Sequence, residues 1–207
     1  METTEHDILS LSVRDFIART AARSPTPGGG SIAGVAGAMA TALGEMALNF
    51  TRGKKKYAAW ADYHDHLFTR MERMRGMFTE LVHDDIAAYG MYAETARMAD
   101  GPEKKERMDL ALAAAVDVPL EVTKLSLALL DDLLQLSDKC NPYLLSDLVA
   151  AAHLAHATVI LCDLNVRINA AQLDPEQAAE LRESSSTDRN RAAVLAEKIE
   201  SAAGDYL

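Results

Sequence analysis

Hydrophobic positions recur every three or four residues along most of the chain, and no segment alternates convincingly with period two. This spacing is typical of helices with one buried side. It predicts helices at about 9–22, 30–51, 57–98, 103–136, 142–170 and 174–203. We therefore expect an all-α fold, an antiparallel bundle of about six helices formed by one domain over residues 1–207 and paired as a homodimer.

Prolines and polar residues mark the helix ends. Asn141-Pro142 and Asp174-Pro175 each put a capping side chain before a proline at the first helical position, and Gly101-Pro102 separates two long helices. Two features predict interruptions. Pro119 should kink or split its helix, because it lacks a backbone donor, and Glu183–Arg189 could interrupt the last helix.

The second helix carries small residues three and four apart, among them Gly34, Gly37 and Gly44. Small side chains let another backbone approach closely, and close packing would offset the roughly 0.5–1 kcal/mol that each interior glycine costs a helix. The partner could be another helix of this chain or a second copy of it.

Composition and charge narrow the partners. The 207 residues carry a formal net charge of -10, which argues against nucleic acid or an anionic membrane as the main partner. An anionic small molecule remains a possible ligand where basic groups cluster.

The sequence favours a cytoplasmic protein. Cys140 and Cys162 are interpreted as free thiols, and the acidic start Met1–Asp7 has no secretory signal. The apolar stretch Gly30–Phe50 is interpreted as a buried helix.

The segment Pro25–Ser31, with sequence PTPGGGS, leads directly into the second helix. Its glycines, Gly28, Gly29 and Gly30, leave backbone N–H groups unshielded at a positive helix end, where anions and carbonyl oxygens bind. Pro27 and Ser31 flank them. The alternative is a turn that only lets the helix pack closely, and the spacing matches neither a P-loop nor a dinucleotide fingerprint.

A basic cluster follows the same helix. Arg52, Lys54, Lys55 and Lys56 stand out in an acidic protein, and Tyr57 follows them. Cations near a helix C-terminus can simply complement its dipole. Four basic residues among the five positions 52–56 are more than the helix dipole needs. We therefore interpret the cluster as a carboxylate-binding corner, with Tyr57 able to stack on a flat ligand.

Asp85 lies on an apolar helix face with Leu81, Ala88 and Tyr89, whereas Asp84 belongs to the solvent side. Burial of a carboxylate raises its pKa, which suits proton transfer near neutral pH. The alternative is a core aspartate bonded to a polar group of another helix.

The fifth helix has polar groups at both ends. Asn141 and Asp147 lie at its start, where Asp147 could complement the dipole, and Arg167 and Asn169 lie near its end among apolar residues. A buried Arg167 would need an anionic partner, either Asp147 or a ligand. For a metal, Glu80-x-x-His83 and His153-x-x-His156 have suitable spacing, but no second carboxylate–histidine unit completes the set, so we expect none.

Six motifs occur together in order, and through them the chain resembles the cyclodeaminase/cyclohydrolase family. They are PTPGGGS at 25–31, TRGKKKY at 51–57, L-x-x-x-D-x-x-A-Y at 81–89, VPLE at 118–121, N-P-x-x-x-S-D at 141–147 and NVRIN at 165–169. That family includes the cyclodeaminase domain of formiminotransferase-cyclodeaminase and free-standing bacterial methenyltetrahydrofolate cyclohydrolases.

The resemblance implies an all-helical dimer that binds a tetrahydrofolate derivative as substrate, without a bound cofactor, in a cleft near the subunit interface. It implies either ring closure with loss of ammonia or hydrolysis of the methenyl bridge. Asp85 is then the first candidate for the catalytic carboxylate and Asp147 the second. The lysines would bind the anionic glutamate tail, and the glycine loop, Asn141, Arg167 and Asn169 would contact the rest of the ligand. A helical dimer that binds folate or another anion without turnover remains the alternative.

Overall fold

A computed structural model describes residues 7–204, and their regular structure is entirely helical. The α-helices are α1 (Val13–Thr20), α2 (Gly29–Asn49), α3 (Ala61–Ala96), α4 (Pro102–Leu136), α5 (Leu145–Ala170) and α6 (Pro175–Ala203). Short 3-10 helices cover Ile8–Ser10, Lys55–Trp60 and Pro142–Leu144. The all-α prediction is confirmed. The first six residues, where no secretory signal was expected, lie outside the described part.

The core forms where α2 packs against α3 and α5, while α4 packs against α3, α5 and α6. The small residues of α2 make this possible. A Cβ atom on Gly34 would overlap the Val82 side chain, and one on Gly37 would overlap the ring of Phe78. Gly44 lies against Leu133 of α4 and Met71 of α3. These three glycines of α2 therefore pack against other helices of the same chain.

Pro119 does not split α4, contrary to one of the two alternatives that the sequence offered. The helix runs continuously from Pro102 to Leu136 with Pro119 buried inside it. A proline cannot donate to the carbonyl four residues earlier, which belongs to Ala115. The side chain of Asn169 donates to that carbonyl instead, with Nδ2 at 2.6 Å from the oxygen. A tertiary hydrogen bond thus replaces the missing helical one.

The expected interruption at Glu183–Arg189 is wrong, because α6 is continuous from Pro175 to Ala203. Serine favours caps and turns because its hydroxyl competes for backbone groups. Here Ser185 is buried and its hydroxyl donates to the Asp163 carboxylate at 2.9 Å. A contact with α5 therefore overrides the local preference of the serine run.

By length and composition alone, Gly29–Asn49 and Pro142–Ala170 are apolar enough to cross a membrane. The first of them is α2, and 56% of its apolar window is buried inside the protein. Core helices of globular proteins share this composition. Its packing against α3 and α5 agrees with the interpretation of α2 as a buried helix.

Candidate active site

A cleft of about 330 Å³ opens where α2 begins. The start of α2 and its preceding loop form one wall, and residues of α3, α4 and α5 form the others. Such a volume lies at the lower end of the range for small-molecule sites. The lining residues are Pro25, Thr26, Gly28, Gly29, Gly30, Asp85, Ala88, Tyr89, Tyr92, Leu112, Ala115, Val118, Asn165, Ile168, Asn169 and Gln172.

Asp85 is the one carboxyl group among these lining residues. It is half-buried on α3, whereas Asp84 is exposed as expected. The hydroxyl of Ser31 donates to Asp85 Oδ2 at 2.7 Å, and the absence of a side chain on Gly30 leaves room for Oδ1. Burial raises the pKa of Asp85, while hydrogen bonds from the Ser31 hydroxyl and backbone N–H oppose the rise. The carboxyl is therefore suited to exchanging a proton in the cleft.

The start of α2 is an anion site, and its anion is part of the protein. We expected the glycine loop to hold oxygens of a ligand, and Gly28, Gly29 and Gly30 do line the cleft. The Asp85 carboxylate, however, takes up the hydroxyl of Ser31, which is fully buried. Pro27 is also buried, and Pro25 and Thr26 face the cleft in its place. Ser31 therefore contacts the candidate catalytic group, and it is not among the residues that line the cleft.

Amide side chains of α5 and of the turn that follows it form the opposite wall. Asn165 lies beside Gly29 and donates through Nδ2 to the Leu161 carbonyl at 2.9 Å. Asn169 lines the cleft as well, but its Nδ2 is engaged by the Ala115 carbonyl. Gln172 accepts a hydrogen bond from the hydroxyl of Tyr92 at 3.2 Å. Sequence reasoning missed Tyr92 and Gln172 because nothing in their local pattern indicates that α3 and α5 converge there.

Arg167 does not line the cleft, and its protein partner is Asp163 rather than Asp147. Its Nε donates to Asp163 Oδ1 at 2.9 Å, one helical turn earlier on α5. Asp163 is fully buried and also accepts bonds from Ser185 and Arg189 of α6. Burial raises the pKa of Asp163, but these hydrogen bonds outweigh it and hold the pKa below its usual value. The network joins α5 to α6 through one buried carboxylate.

The remaining predicted residues lie at the other end of α2, which spans about 30 Å for its 21 residues. There Lys54, Lys55 and Lys56 are exposed. Tyr57 is buried, with Lys56 Nζ 5.4 Å from its ring centre, so its ring is not presented as a stacking surface.

Asn141 and Asp147 belong to this same end. The backbone N–H of Asn141 donates to the Thr51 hydroxyl at 2.9 Å, and its side chain caps the short helix Pro142–Leu144. Asp147 lies half-buried in the first turn of α5. Within one chain, the predicted residues therefore form two separate groups at opposite ends of α2.

The histidines with suitable metal spacing are engaged elsewhere. His83 Nε2 lies 2.7 Å from Asp7 Oδ1, and His153 Nε2 lies 3.1 Å from Glu200 Oε2. Across residues 7–204, no group of three or more histidine, cysteine, aspartate or glutamate side chains is arranged to hold a metal ion.

By its fold, this protein is an all-α helical bundle with a cleft of the size of a small-molecule site. A half-buried carboxyl group lies in that cleft against the glycine-rich start of α2. The family model described as formiminotransferase-cyclodeaminase matches residues 12–187. The chain belongs to this family, and the predicted resemblance is confirmed.

Two kinds of relative stand out. The methenyltetrahydrofolate cyclohydrolase of Methylorubrum extorquens is 32% identical over 178 residues, which cover 83% of this chain and 85% of that protein. The formimidoyltransferase-cyclodeaminase of Mus musculus is 32% identical over 177 residues, covering 80% of this chain but 31% of that enzyme. The chain thus corresponds to about a third of the mouse protein.

A solved structure agrees with the fold. The formiminotetrahydrofolate cyclodeaminase of Thermotoga maritima superposes with a TM-score of 0.87 at 29% identity, covering 96% of this chain and 98% of that one.

Proposed function

We propose that this protein is a folate one-carbon enzyme that acts on the methenyl bridge of tetrahydrofolate, as a methenyltetrahydrofolate cyclohydrolase or a formiminotetrahydrofolate cyclodeaminase. Similarity to proteins named for each activity supports both reactions. The observation that carries the proposal is the position of Asp85, a carboxyl of raised pKa in the cleft at the glycine-rich helix start.

Both reactions pass through a tetrahedral carbon between two nitrogens, and both need a proton moved from the attacking group and a proton delivered to the leaving group. In the cyclohydrolase reaction, Asp85 would take a proton from a water molecule as the water oxygen bonds to the methenyl carbon. It would return that proton to the nitrogen whose bond to this carbon breaks, and the added hydroxyl would lose its proton to solvent to give the formyl group. In the cyclodeaminase reaction, the formimino group enters in its protonated form, and Asp85 would take the proton of the attacking nitrogen. It would give that proton to the amino group of the tetrahedral carbon, which then leaves as ammonia as the methenyl cation forms.

The surroundings of Asp85 suit this role. The cleft is lined by Ala88, Leu112 and Val118 near the carboxyl, so water is partly excluded and the pKa rises. The amides of Asn165 and Gln172 offer polar edges to a flat heterocycle. The proposed chemistry uses these side chains and the folate as substrate, with no bound cofactor, and the buried free thiols Cys140 and Cys162 suit a cytoplasmic location.

The test is the absorbance of the methenyltetrahydrofolate chromophore with purified protein. The protein is supplied once with that compound and once with formiminotetrahydrofolate. Faster loss of absorbance from the first identifies a cyclohydrolase, and faster appearance from the second identifies a cyclodeaminase. Rates equal to the uncatalysed ones in both cases would contradict the proposal, and tight binding of either compound would then favour a non-catalytic folate-binding protein.

We further propose that the protein is a homodimer that pairs through α2. The face of α2 turned away from the core is apolar and free of charge along its whole length, and Met39 and Phe50 on it are 57% and 54% exposed. Such a patch on a soluble protein marks an interaction site. The residues of this α2 stripe are Ile32, Val35, Ala36, Met39, Ala42, Leu43, Met46 and Phe50.

A two-fold axis across the middle of the α2 stripe would reverse α2 in the partner, because such an interface uses the same surface on both subunits. The cleft at the start of α2 would then face the partner subunit's Lys54, Lys55 and Lys56. This arrangement would bring the cleft residues of one subunit close to the lysines of the other, although within one chain these two groups lie about 30 Å apart. It would also give the lysines access to the anionic tail of a folate held beside Asp85.

Sedimentation velocity tests the dimer. The wild type should sediment as a dimer, and Met39→Glu should sediment as a folded monomer, because a charge in the centre of an apolar interface is costly. Glu72→Ala, on the exposed surface of α3, is the matched control and should remain dimeric. A monomeric wild type would contradict the proposal.

A further inference from the structure

We propose that Ser31 is a positioning residue for Asp85: its hydroxyl holds the carboxylate against the first turn of α2, in the space that Gly30 leaves open, and fixes the direction of the remaining oxygen in the cleft. This inference deepens the proposed function and rests on it for the catalytic role of Asp85.

The contact has the geometry of a strong hydrogen bond. Ser31 Oγ lies 2.7 Å from Asp85 Oδ2, in the range of a hydroxyl that donates to a carboxylate. Ser31 is fully buried, so neither water nor a ligand competes for its hydroxyl. The two residues are 54 positions apart and lie on different helices. The bond therefore fixes the position of the α3 carboxyl relative to α2.

Serine hydroxyls in helices commonly donate to a carbonyl of the preceding turn. Several buried hydroxyls of this protein do so, including Thr41, which donates to the Gly37 carbonyl at 2.8 Å. Ser31 lies in the first turn of α2, and its hydroxyl donates to Asp85 instead. The helix start adds a second attraction, since the positive end of α2 faces the carboxylate.

Gly30 provides the space. A Cβ atom at this position would overlap Asp85 Oδ1 and the carboxyl carbon, so the carboxyl group would have to move. Any larger residue would push the carboxylate away from α2 and break its bond to Ser31. Gly30 and Ser31 thus act as a pair, one by its absent side chain and the other by its hydroxyl.

The groups around Asp85 allow a clean titration. On α5, burial raises the pKa of the Cys162 thiol to about 12, and the charge of Asp85 contributes to the rise. The thiol therefore stays neutral over the pH range of an aspartate titration. On α3, Tyr89 and Tyr92 line the same cleft, and on α4 the lining residues Leu112, Ala115 and Val118 are apolar. On α2 the groups that contact the carboxyl are Gly30 and Ser31.

The experiment is a ¹³C NMR titration of the aspartate carboxyls, with the Asp85 signal assigned by its loss in Asp85→Asn. Removal of a hydrogen bond to the charged form raises a pKa, so Ser31→Ala should raise that of Asp85 by about one pH unit. Thr41→Ala, the matched loss of a buried α2 hydroxyl, should leave it unchanged. In an active enzyme, the limb of the kcat/KM profile assigned to Asp85 should move upward by the same amount.

An Asp85 pKa that is the same in Ser31→Ala and wild type would overturn the positioning role, whether or not the protein is an enzyme. A raised pKa in a protein without activity on either folate would support the contact and overturn the proposed function alone. Gly30→Ala provides a second readout. It should alter the Asp85 titration while circular dichroism stays helical, and an unchanged titration would contradict the space requirement.

Discussion

The carboxylate of Asp85 occupies the space that a side chain on Gly30 would fill. The start of α2 and a carboxylate of α3 thereby come into direct contact, which explains the glycine at position 30 in the first turn of α2. The same contact puts an acid in a cleft lined mainly by apolar and amide side chains, where its pKa is raised. Close packing and candidate chemistry thus depend on one missing Cβ atom.

Replacement of Lys54, Lys55 and Lys56 together by alanine should weaken binding of a polyglutamylated folate while leaving kcat close to that of the wild type. The three lysines are exposed and lie far from Asp85 within one chain, so they can attract an anionic tail but cannot reach the reacting carbon of the same subunit. The KM should rise most at low salt, because salt screens such attraction. Steady-state kinetics at two ionic strengths with mono- and polyglutamylated substrates measure the effect.

Mixing of subunits determines whether those lysines act across the dimer. Asp85→Asn chains and triple-alanine chains are combined, dissociated and reassociated, so that about half of the dimers contain one of each. If each site joins Asp85 of one chain to the lysines of the other, each mixed dimer has one intact site, and the mixture recovers about a quarter of wild-type activity at low substrate. Activity no greater than the mean of the two variants would contradict the shared site.

Asp163→Asn should destabilise the protein by roughly 2–4 kcal/mol at pH 7, because a fully buried carboxylate that accepts three hydrogen bonds would lose its charge. The expected loss of stability is smaller than for a fully buried ion pair, because the side chains of Arg167 and Arg189 are partly exposed to solvent. Urea unfolding measures the difference.

The exposed pair Glu103–Arg107 supplies the control, and Glu103→Gln should change stability by less than about 1 kcal/mol. The pKa of Asp163 is lowered in the folded state, so its contribution is present above the ordinary carboxyl pKa and is lost as pH falls through the folded value. Equal destabilisation of Asp163→Asn at pH 7 and in acid would show that the charge is not the cause.

Asp132→Asn should have the opposite effect and stabilise the protein at neutral pH. Burial raises the pKa of Asp132 to about 6, partly offset by Arg70, whose Nε lies 2.9 Å from Oδ2 without hydrogen-bond geometry. The folded state thus keeps a proton that the unfolded state loses near pH 4. Stability from this group is present below about pH 4 and is lost as pH rises to about 6.

Asparagine resembles the protonated carboxyl and has no charge to bury. Unfolding free energies at pH 4.5 and pH 7.5 should therefore show a gain for Asp132→Asn of roughly 1–3 kcal/mol at the higher pH and little at the lower. A variant less stable than the wild type at pH 7.5 would mean that the Arg70 pair outweighs the cost of burial.

The helical fold was predictable because each helix depends on local signals. The apolar spacing, the capping residues Asn141 and Asp174 and the Gly101-Pro102 break all act over a few residues. The predicted interruption at Glu183–Arg189 was wrong, and α4 is not split at Pro119, for the opposite reason. Asn169 donates to the Ala115 carbonyl that Pro119 leaves without a helical donor, and the hydroxyl of Ser185 donates to Asp163. Both are contacts between helices that local spacing does not reveal.

The candidate site was predictable in part. The apolar surroundings of Asp85 indicated a raised pKa, and the glycines indicated an anion site at the start of α2. That these two features are one site follows only from the packing of α3 on α2. Equally, spacing gave no reason to separate Asp147 and the lysines from Asp85, since their distance is set by the length of α2.

The central claim is that Asp85 moves the proton in a folate one-carbon reaction, and the most direct measurement is the rate of change of methenyltetrahydrofolate absorbance with wild type and Asp85→Asn side by side. Asparagine keeps the shape and can still accept from Ser31, so folding and folate affinity should persist while turnover falls by about two to four orders of magnitude. A wild-type rate above background with an equal rate for Asp85→Asn would contradict the claim.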